Sequence, residues 1–163
     1  MLVASNTSPV CNLAIVGRLH LLRIQFAEVL IPIAVKNELE RLSHSEAAHD
    51  VERALREQWI KPQAVRDATV VRLLHADLDL GEAEAIALAL DVSANLVLLD
   101  EREARAAAER AGLRVTGVLG VLLRAKMNGQ IQAVKPEIDA LRAKARFFVS
   151  SNLERRVLEL AGE

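Results

Sequence analysis

Aromatic side chains are the scarcest feature of this sequence, whose 163 residues include three phenylalanines, one tryptophan and no tyrosine. Stacking of nucleic-acid bases on aromatic rings is therefore not expected as the main binding mode of this chain. Hydrophobic residues still make up 52% of the sequence, so the core must consist mainly of Leu, Val, Ile and Ala. A chain of this length is expected to fold as one domain over residues 1–163.

Cysteine, surplus charge and long apolar runs are scarce as well. Cys11 is the only cysteine, which excludes an internal disulfide and a cysteine-based zinc site. The formal net charge is −1, so nucleic acid would have to bind at a local basic patch. No apolar run approaches the roughly 20 residues that span a membrane, and no signal peptide is recognisable. These features predict a cytoplasmic protein that does not cross a membrane.

The order of apolar segments along the chain predicts an α/β fold. Strands are expected at 2–5, 29–31, 96–99 and 113–116, with an edge strand at 147–149. The first helix is expected to begin at Ser8 as N-cap, with Pro9 at its first position. Residues 43–79 are less readable and contain polar helical patterns and a short extended piece at Trp59–Ile60. Alternating strands and helices predict a central parallel sheet that is flanked by helices on both faces.

Polar residues follow two of the predicted strands directly. Asn6, Thr7 and Ser8 come after the first strand, and Asp100 comes after the strand at 96–99. In open parallel sheets, ligands bind beyond the carboxyl ends of the strands, so these residues are candidates for a site. An alternative for Asp100 is a structural role as N-cap of the next helix, with Glu103 at the N3 position.

Helical periodicity selects Glu38 as a second candidate. Val35, Leu39 and Leu42 mark the buried stripe of a helix, and Glu38 lies within about 60° of the centre of that stripe. A carboxylate on an inner face is unfavourable unless another group pairs with it. The alternative is a glutamate at the edge of the stripe whose carboxylate reaches solvent.

Glu82 and Glu84 both lie in the first turns of the helix predicted at 81–90. They are about 160° apart around the helix axis, so at most one of them faces the rim of the sheet. Glu82 is nearer the start of the helix and is the preferred candidate. Its alternative is a capping box with Asp79. Carboxylates that converge repel one another unless a cation neutralises them, and oxygen ligands suit Mg²⁺ or Mn²⁺.

Several segments carry a resemblance to a known family. They are Val3–Pro9, Ile31–Pro32 followed by Val35–Leu39, Leu80–Ala89, Leu98–Glu101, Gly117–Lys126 and the terminal Ala161–Glu163. In their order and spacing, which extend over nearly the whole chain, the sequence resembles the PIN-domain family. In particular, it resembles the branch of small prokaryotic VapC-like proteins.

The resemblance implies a PIN-like three-layer sandwich with acidic residues at the carboxyl rim of the sheet. It implies a ribonuclease that depends on Mg²⁺ or Mn²⁺, often a toxin that a small antitoxin neutralises, and a homodimer. Glu38, Glu82 and Asp100 match the acidic positions of the family. Thr7 or Ser8 matches the hydroxyl position near the metal, and Glu103 matches an outer acid unless it is a solvated helix charge.

Asn6 is where this sequence departs from the family, which usually has an aspartate at that position. Asn6 keeps an oxygen ligand but removes one negative charge, and it does not bridge two ions as a carboxylate does. This difference is expected to weaken metal affinity. The resembling branch accepts Asn here, so the substitution by itself does not indicate an inactive protein.

Basic residues near the predicted rim are candidates for binding RNA phosphates. Arg102 and Arg105 share a helix face beside Asp100, and Lys36 lies close to Glu38 in the sequence. The alternative for each is an ordinary solvated helix charge.

Three functions can be compared with these observations. The leading one is a metal-dependent endoribonuclease, the toxin of a toxin–antitoxin pair. The second is a PIN-like module with a weakened site that binds RNA or a protein partner. A signalling receiver domain fits poorly, because its acidic pair would follow the first strand, where this chain has Asn6 and Thr7.

Overall fold

A parallel β-sheet forms the centre of the computed structural model, which describes residues 1–163 except for the side chain of Ser45. Within the described residues the sheet has five strands in the order β3-β2-β1-β4-β5. They are β1 (Val3–Ser5), β2 (Val29–Pro32), β3 (Ile60–Gln63), β4 (Leu96–Leu98) and β5 (Val115–Thr116). All four neighbouring pairs are parallel.

Helices connect and cover the strands. They are α1 (Thr7–Ile15), α2 (His20–Phe26), α3 (Ile33–Glu40), α4 (Ser45–Arg56), α5 (Ala68–His75), α6 (Leu80–Asp91), α7 (Arg102–Arg110), α8 (Val118–Met127), α9 (Lys135–Ala145) and α10 (Ser151–Ala161). None of those formed by the described residues has the length and apolar character that crossing a membrane requires.

The sheet separates two apolar layers, because successive side chains of a strand point to opposite faces. Val3 and Leu98 belong to the larger core, which α1, α2, α3, α4, α8, α9 and α10 complete. Ala4 and Val97 belong to a smaller core with α6 and α7. The predicted α/β architecture, a parallel sheet between two layers of helices, is therefore confirmed.

The strand order changes direction at the boundary between β1 and β4. From β1 the chain proceeds outward to β2 and β3, and it then returns to add β4 and β5 on the other side. Ser5 pairs with Leu98 in the register of these two central strands. Their carboxyl ends therefore lie side by side, and such a reversal point is where open α/β sheets usually bind ligands.

Two local predictions were wrong. Helix α1 begins at Thr7, so the N-cap is Asn6 rather than Ser8, and Pro9 is the third helical residue. Proline is tolerated there because the first N–H groups of a helix have no partner within the helix. Residues 147–149, although described, form no strand: the Phe147 N–H donates to the Leu141 carbonyl, and the Val149 carbonyl accepts from Arg142.

The extended piece predicted at Trp59–Ile60 is an edge strand, β3. Its hydrogen-bonding partner is β2, with Leu30 opposite Lys61 and Ile31 opposite Pro62. A proline is compatible with an edge position because the missing N–H faces away from the sheet.

Candidate functional site

Two consecutive hydroxyl groups at the start of α1 hold two carboxylates from other elements. The Thr7 hydroxyl donates to Glu38 Oε2 at 2.5 Å, and the Ser8 hydroxyl donates to Asp100 Oδ2 at 2.7 Å. Asn12, one turn further along α1, donates from Nδ2 to the Ser8 oxygen at 2.9 Å. The end of β1 therefore links α3 to the segment that follows β4.

Asp100 lies at the N-terminus of α8 and does not cap α7, whose N-cap is Glu101. Its Oδ1 accepts a hydrogen bond of 2.8 Å from the Val118 N–H, the first of that helix. Burial raises the pKa of Asp100, while the hydrogen bonds from Val118 and Ser8 and the charge of Arg105 lower it in part. The carboxylate is thus held by groups that favour its charged form, against a desolvation penalty that exceeds them.

Asn6 has an unusual side-chain oxygen. The residue is only 5% exposed, and Oδ1 is buried with no hydrogen-bond partner among the described residues. The backbone N–H of Asn6 is paired, since it donates to the Leu98 carbonyl at 3.1 Å. A buried carbonyl oxygen without a partner costs about 1–3 kcal/mol, so this one calls for an explanation.

Gly81 brings the Asn6 oxygen together with Glu38. A Cβ built on Gly81, in the first turn of α6, would lie 2.8 Å from Glu38 Oε1 and 3.0 Å from Asn6 Oδ1. Both distances are shorter than normal contacts to a Cβ, so the helix approaches these oxygens as closely as it does because residue 81 has no side chain. An amide oxygen and a carboxylate oxygen therefore face the same point of the α6 backbone.

Glu82 has the structural role that was its alternative. Its Oε2 accepts from the Asp79 N–H at 3.1 Å, and its own N–H donates to Asp79 Oδ1 at 2.8 Å, which completes the capping box of α6. The residue is 6% exposed. Burial raises its pKa, the backbone hydrogen bond from Asp79 lowers it, and the nearby charges of Asp79, Glu101 and Glu103 raise it further.

Glu84 supports the start of α3, the helix that directly follows β2. Its Oε2 accepts a 3.1 Å hydrogen bond from the Ala34 N–H in the first turn of α3. Negative charge near a helix N-terminus is stabilising. Glu84 therefore helps to position the helix that carries Glu38.

The three predicted carboxylates do not converge on one point. In the part of the chain that the structure describes, no three His, Cys, Asp or Glu side chains are close enough to hold a metal ion together. Each carboxylate instead accepts hydrogen bonds from its own donors: Glu38 from Thr7, Asp100 from Ser8 and Val118, and Glu82 from Asp79. Carboxylates that face one another repel, which favours this separation.

Of the three predicted RNA-binding residues, Arg105 lies beside Asp100. Its Nη1 donates to the Leu99 carbonyl at 2.9 Å, and its side chain is half-buried. Arg102 is exposed and lines a different groove, between α5 and α7. Lys36 pairs with Glu40 at 3.5 Å on the outside of α3.

Sequence reasoning missed the two glycines that shape this site. Gly117 resembles Gly81, because a Cβ on it would lie 2.5 Å from Asp100 Oδ1 and 2.9 Å from the Leu99 carbonyl oxygen. A signal was available for Gly81, since glycine disfavours a helix and here it stands in a helical start next to an acid. The sequence contains no comparable signal for the hydrogen bond between the Val118 N–H and Asp100.

The oxygen atoms at this rim suit a hard divalent cation. Asn6 Oδ1 lacks a partner among the described residues, and Glu38 Oε1 lies close to the same glycine. Asp100 is held by the hydroxyl of Ser8, the residue next to the one that holds Glu38. Carboxylate and amide oxygens are the ligands that Mg²⁺ and Mn²⁺ take in proteins. The residues therefore fit such an ion, with Asn6 and Glu38 as the core of the set.

Fold and site together define a three-layer α/β protein with its polar site at the reversal point of a parallel sheet. A family model described as a PIN domain matches residues 2–163. The chain therefore belongs to the PIN-domain family, whose members are generally nucleases and typically use divalent metal ions. Comparison with curated protein sequences gave no significant match.

A substitution at Gly81 tests whether the close approach of α6 matters for metal binding. In Gly81→Ala the new Cβ displaces Glu38 Oε1 and Asn6 Oδ1, and we expect Mn²⁺ affinity to fall roughly 10- to 100-fold, as for groups that orient ligands. Isothermal titration calorimetry with Mn²⁺ measures this directly.

The control is Gly129→Ala, where the Cβ meets nothing within 4 Å but φ is +70°. That variant should lose thermal stability and keep its Mn²⁺ affinity. Unchanged Mn²⁺ binding in Gly81→Ala would show that the approach of α6 has no part in holding a metal.

Proposed function

We propose that this protein is an endoribonuclease that hydrolyses RNA phosphodiester bonds with Mg²⁺ or Mn²⁺. The observation that carries the proposal is the buried Asn6 Oδ1, which has no hydrogen-bond partner among the described residues and lies beside Glu38 at the rim of the sheet. Membership in a family of nucleases supports it.

Asn6, Glu38 and Asp100 are the residues that would hold the ion, with Glu82 and Glu103 as outer acids. A divalent ion bound there supplies electrostatic stabilisation of phosphoryl oxygens and lowers the pKa of water. Thr7 orients the carboxylate of Glu38, and Ser8 orients that of Asp100. The two carboxylates are therefore already ordered before an ion binds.

Arg105 is the residue that we assign to the phosphate of the substrate. A guanidinium has five N–H donors, and the hydrogen bond to the Leu99 carbonyl fixes its position through Nη1 alone. The remaining donors match the geometry of a phosphate. Arg102 and Lys36 lie further out and would add to the general attraction of RNA.

Cleavage of structured RNAs that contain loops tests this function. We expect the wild-type protein to cleave them with Mn²⁺ and to stop when a chelator is added. Glu38→Gln should reduce the rate on the order of 100-fold, because one charged ligand is lost.

The matched control is Glu40→Gln, which changes an exposed glutamate on the same helix. It should retain the wild-type rate. Equal loss in both variants, or cleavage that the chelator leaves intact, would contradict the proposed site.

The resemblance to VapC-like proteins supports a narrower proposal, that the nuclease is a toxin with a small antitoxin partner and acts as a homodimer in the cytoplasm. A short neighbouring reading frame that encodes a small DNA-binding protein would support the toxin role.

Asn6 favours a second candidate function, a PIN-like module that binds RNA or a protein partner without cleavage. The amide provides one oxygen and no charge where the resembling family usually has aspartate. Exchange of this residue separates the two candidates.

A further inference from the structure

An apolar groove opens beside Asp100 and Arg105. Its walls come from α8, α10 and the segment between α9 and α10, and its volume is about 320 Å³. This is the lower end of the range for small-molecule sites, roughly 300–1,000 Å³. Leu119, Leu123 and Leu153 provide apolar walls, and Asp100 and Arg105 line the same groove. The groove is thus continuous with the proposed active site.

Phe148 stands at this groove with 85% of its surface exposed. It is the one exposed aromatic ring in the described part of the chain, since Phe26 and Trp59 are buried and Phe147 is half-buried against the core. A single exposed apolar residue is common on protein surfaces and by itself carries no function. This ring is distinguished by lining a groove that Arg105 and Asp100 also line.

The backbone on either side of Phe148 is braced. The Phe147 N–H donates to the Leu141 carbonyl at 3.1 Å, and Arg142 donates to the Val149 carbonyl at 2.8 Å. Arg142 is itself held by Glu154 of α10 at 2.6 Å. The segment therefore presents the exposed ring on a fixed support, which reduces the entropy lost when a ligand binds to it.

We propose that Phe148 and this groove bind one unpaired base of the RNA, next to the phosphate that Arg105 contacts. The proposal rests on the proposed ribonuclease function and specifies its substrate as single-stranded at that nucleotide. A base has two apolar faces and polar edges, which suits an exposed ring beside Arg105 and Asp100. The low aromatic content of the chain limits how many bases can stack, and it is compatible with one.

Equilibrium binding separates this proposal from catalysis. The probe is a fluorescein-labelled single-stranded RNA of 12 nucleotides, titrated in the presence of a chelator so that no metal-dependent cleavage occurs. We expect Phe148→Ala to raise Kd about 5- to 150-fold, which corresponds to the ~1–3 kcal/mol of one base–aromatic stack.

Four comparisons make the measurement specific for stacking. Phe148→Tyr should bind like the wild type, whereas Phe148→Leu should bind like Phe148→Ala. Leu73→Ala, on the opposite side of the sheet and 72% exposed, should have no effect. The same RNA in a full duplex should bind equally to the wild type and to Phe148→Ala.

The outcomes distinguish this proposal from the function on which it rests. Binding that depends on Phe148, together with an absence of cleavage, supports the base site and contradicts the nuclease. Cleavage together with equal RNA binding by the wild type and Phe148→Ala overturns the base site and leaves the nuclease in place. Equal binding by Phe148→Leu and the wild type also overturns it, because an apolar contact without stacking would then be sufficient for RNA binding.

Discussion

Replacement of Asp100 by Asn is expected to lower RNA cleavage on the order of 10²- to 10³-fold while the protein stays folded. The amide oxygen still accepts the hydrogen bond from the Val118 N–H, so the start of α8 is retained. Two things are lost: one negative charge at the proposed metal site, and the Oδ2 acceptor of the Ser8 hydroxyl, which the amide NH2 replaces as a donor. Bound metal ions contribute several kcal/mol to such reactions. Single-turnover cleavage at saturating Mn²⁺ measures the effect.

The same substitution is expected to raise thermal stability at neutral pH. The pKa of Asp100 is raised above its ordinary value of 3.8 by burial, so the folded protein binds this proton more tightly than the unfolded chain does. The stabilisation from that proton is fully present below the unfolded pKa and is lost as the pH rises through the folded pKa. Asn carries no such charge, so the Tm difference should shrink as the pH falls through that range.

Asp139→Asn is the matched control, since Asp139 is an exposed aspartate of α9 that pairs with Lys135. It should cleave RNA at the wild-type rate. A loss of activity in Asp100→Asn that is accompanied by a lower Tm at pH 7 would assign Asp100 to the structure rather than to the reaction.

Asn6→Asp is expected to strengthen Mn²⁺ binding roughly 10- to 100-fold. A carboxylate at this position places a second negative charge close to Glu38 Oε1 and next to the proposed ion, where charge interactions are worth several kcal/mol. In a chelator the two carboxylates repel, so the variant should unfold at a lower temperature than the wild type. Calorimetric titration with Mn²⁺ and thermal unfolding in chelator test both statements.

Asn95→Asp controls for the added charge, because Asn95 lies at the opposite, amino end of β4, where its Oδ1 accepts from the Leu2 N–H. It should leave Mn²⁺ affinity unchanged. An Asn6→Asp variant with wild-type Mn²⁺ affinity would contradict Asn6 as a ligand. An inactive wild type that gains cleavage through Asn6→Asp would favour the module without catalysis.

The α/β architecture and the location of the rim were predictable from the sequence. Short apolar runs identified β1, β2 and β4, because strands buried on both faces need no polar alternation. The edge strand β5 is only half-buried, and the segment that predicted it contains Arg114 and Thr116. The prediction at 147–149 failed because apolar residues there pack in an irregular segment whose backbone bonds go to Leu141 and Arg142. Local patterns identify burial, and they do not identify the partner of a backbone N–H or C=O.

For the candidate site, periodicity placed Glu38 on the inner side of α3, and strand ends placed Asn6 and Asp100 at one rim. Sequence reasoning left open whether Glu82 is a site acid or part of a capping box with Asp79. The structure shows that Glu82 forms the capping box. Sequence reasoning preferred Glu82 to Glu84 as the acid at the helix start. In the structure Glu84 accepts from the Ala34 N–H of α3, a contact across 50 residues that no local pattern indicates.

The residue types at the rim were therefore readable from local order, since parallel strands bring residues that follow them to the same edge. The unpartnered oxygen of Asn6, the close approach of Gly81 and the attachment of Asp100 to the start of α8 were not readable. Each of these depends on how closely two elements distant in sequence pack together. That separation is set by the whole core on either side of the sheet, and no local pattern records it.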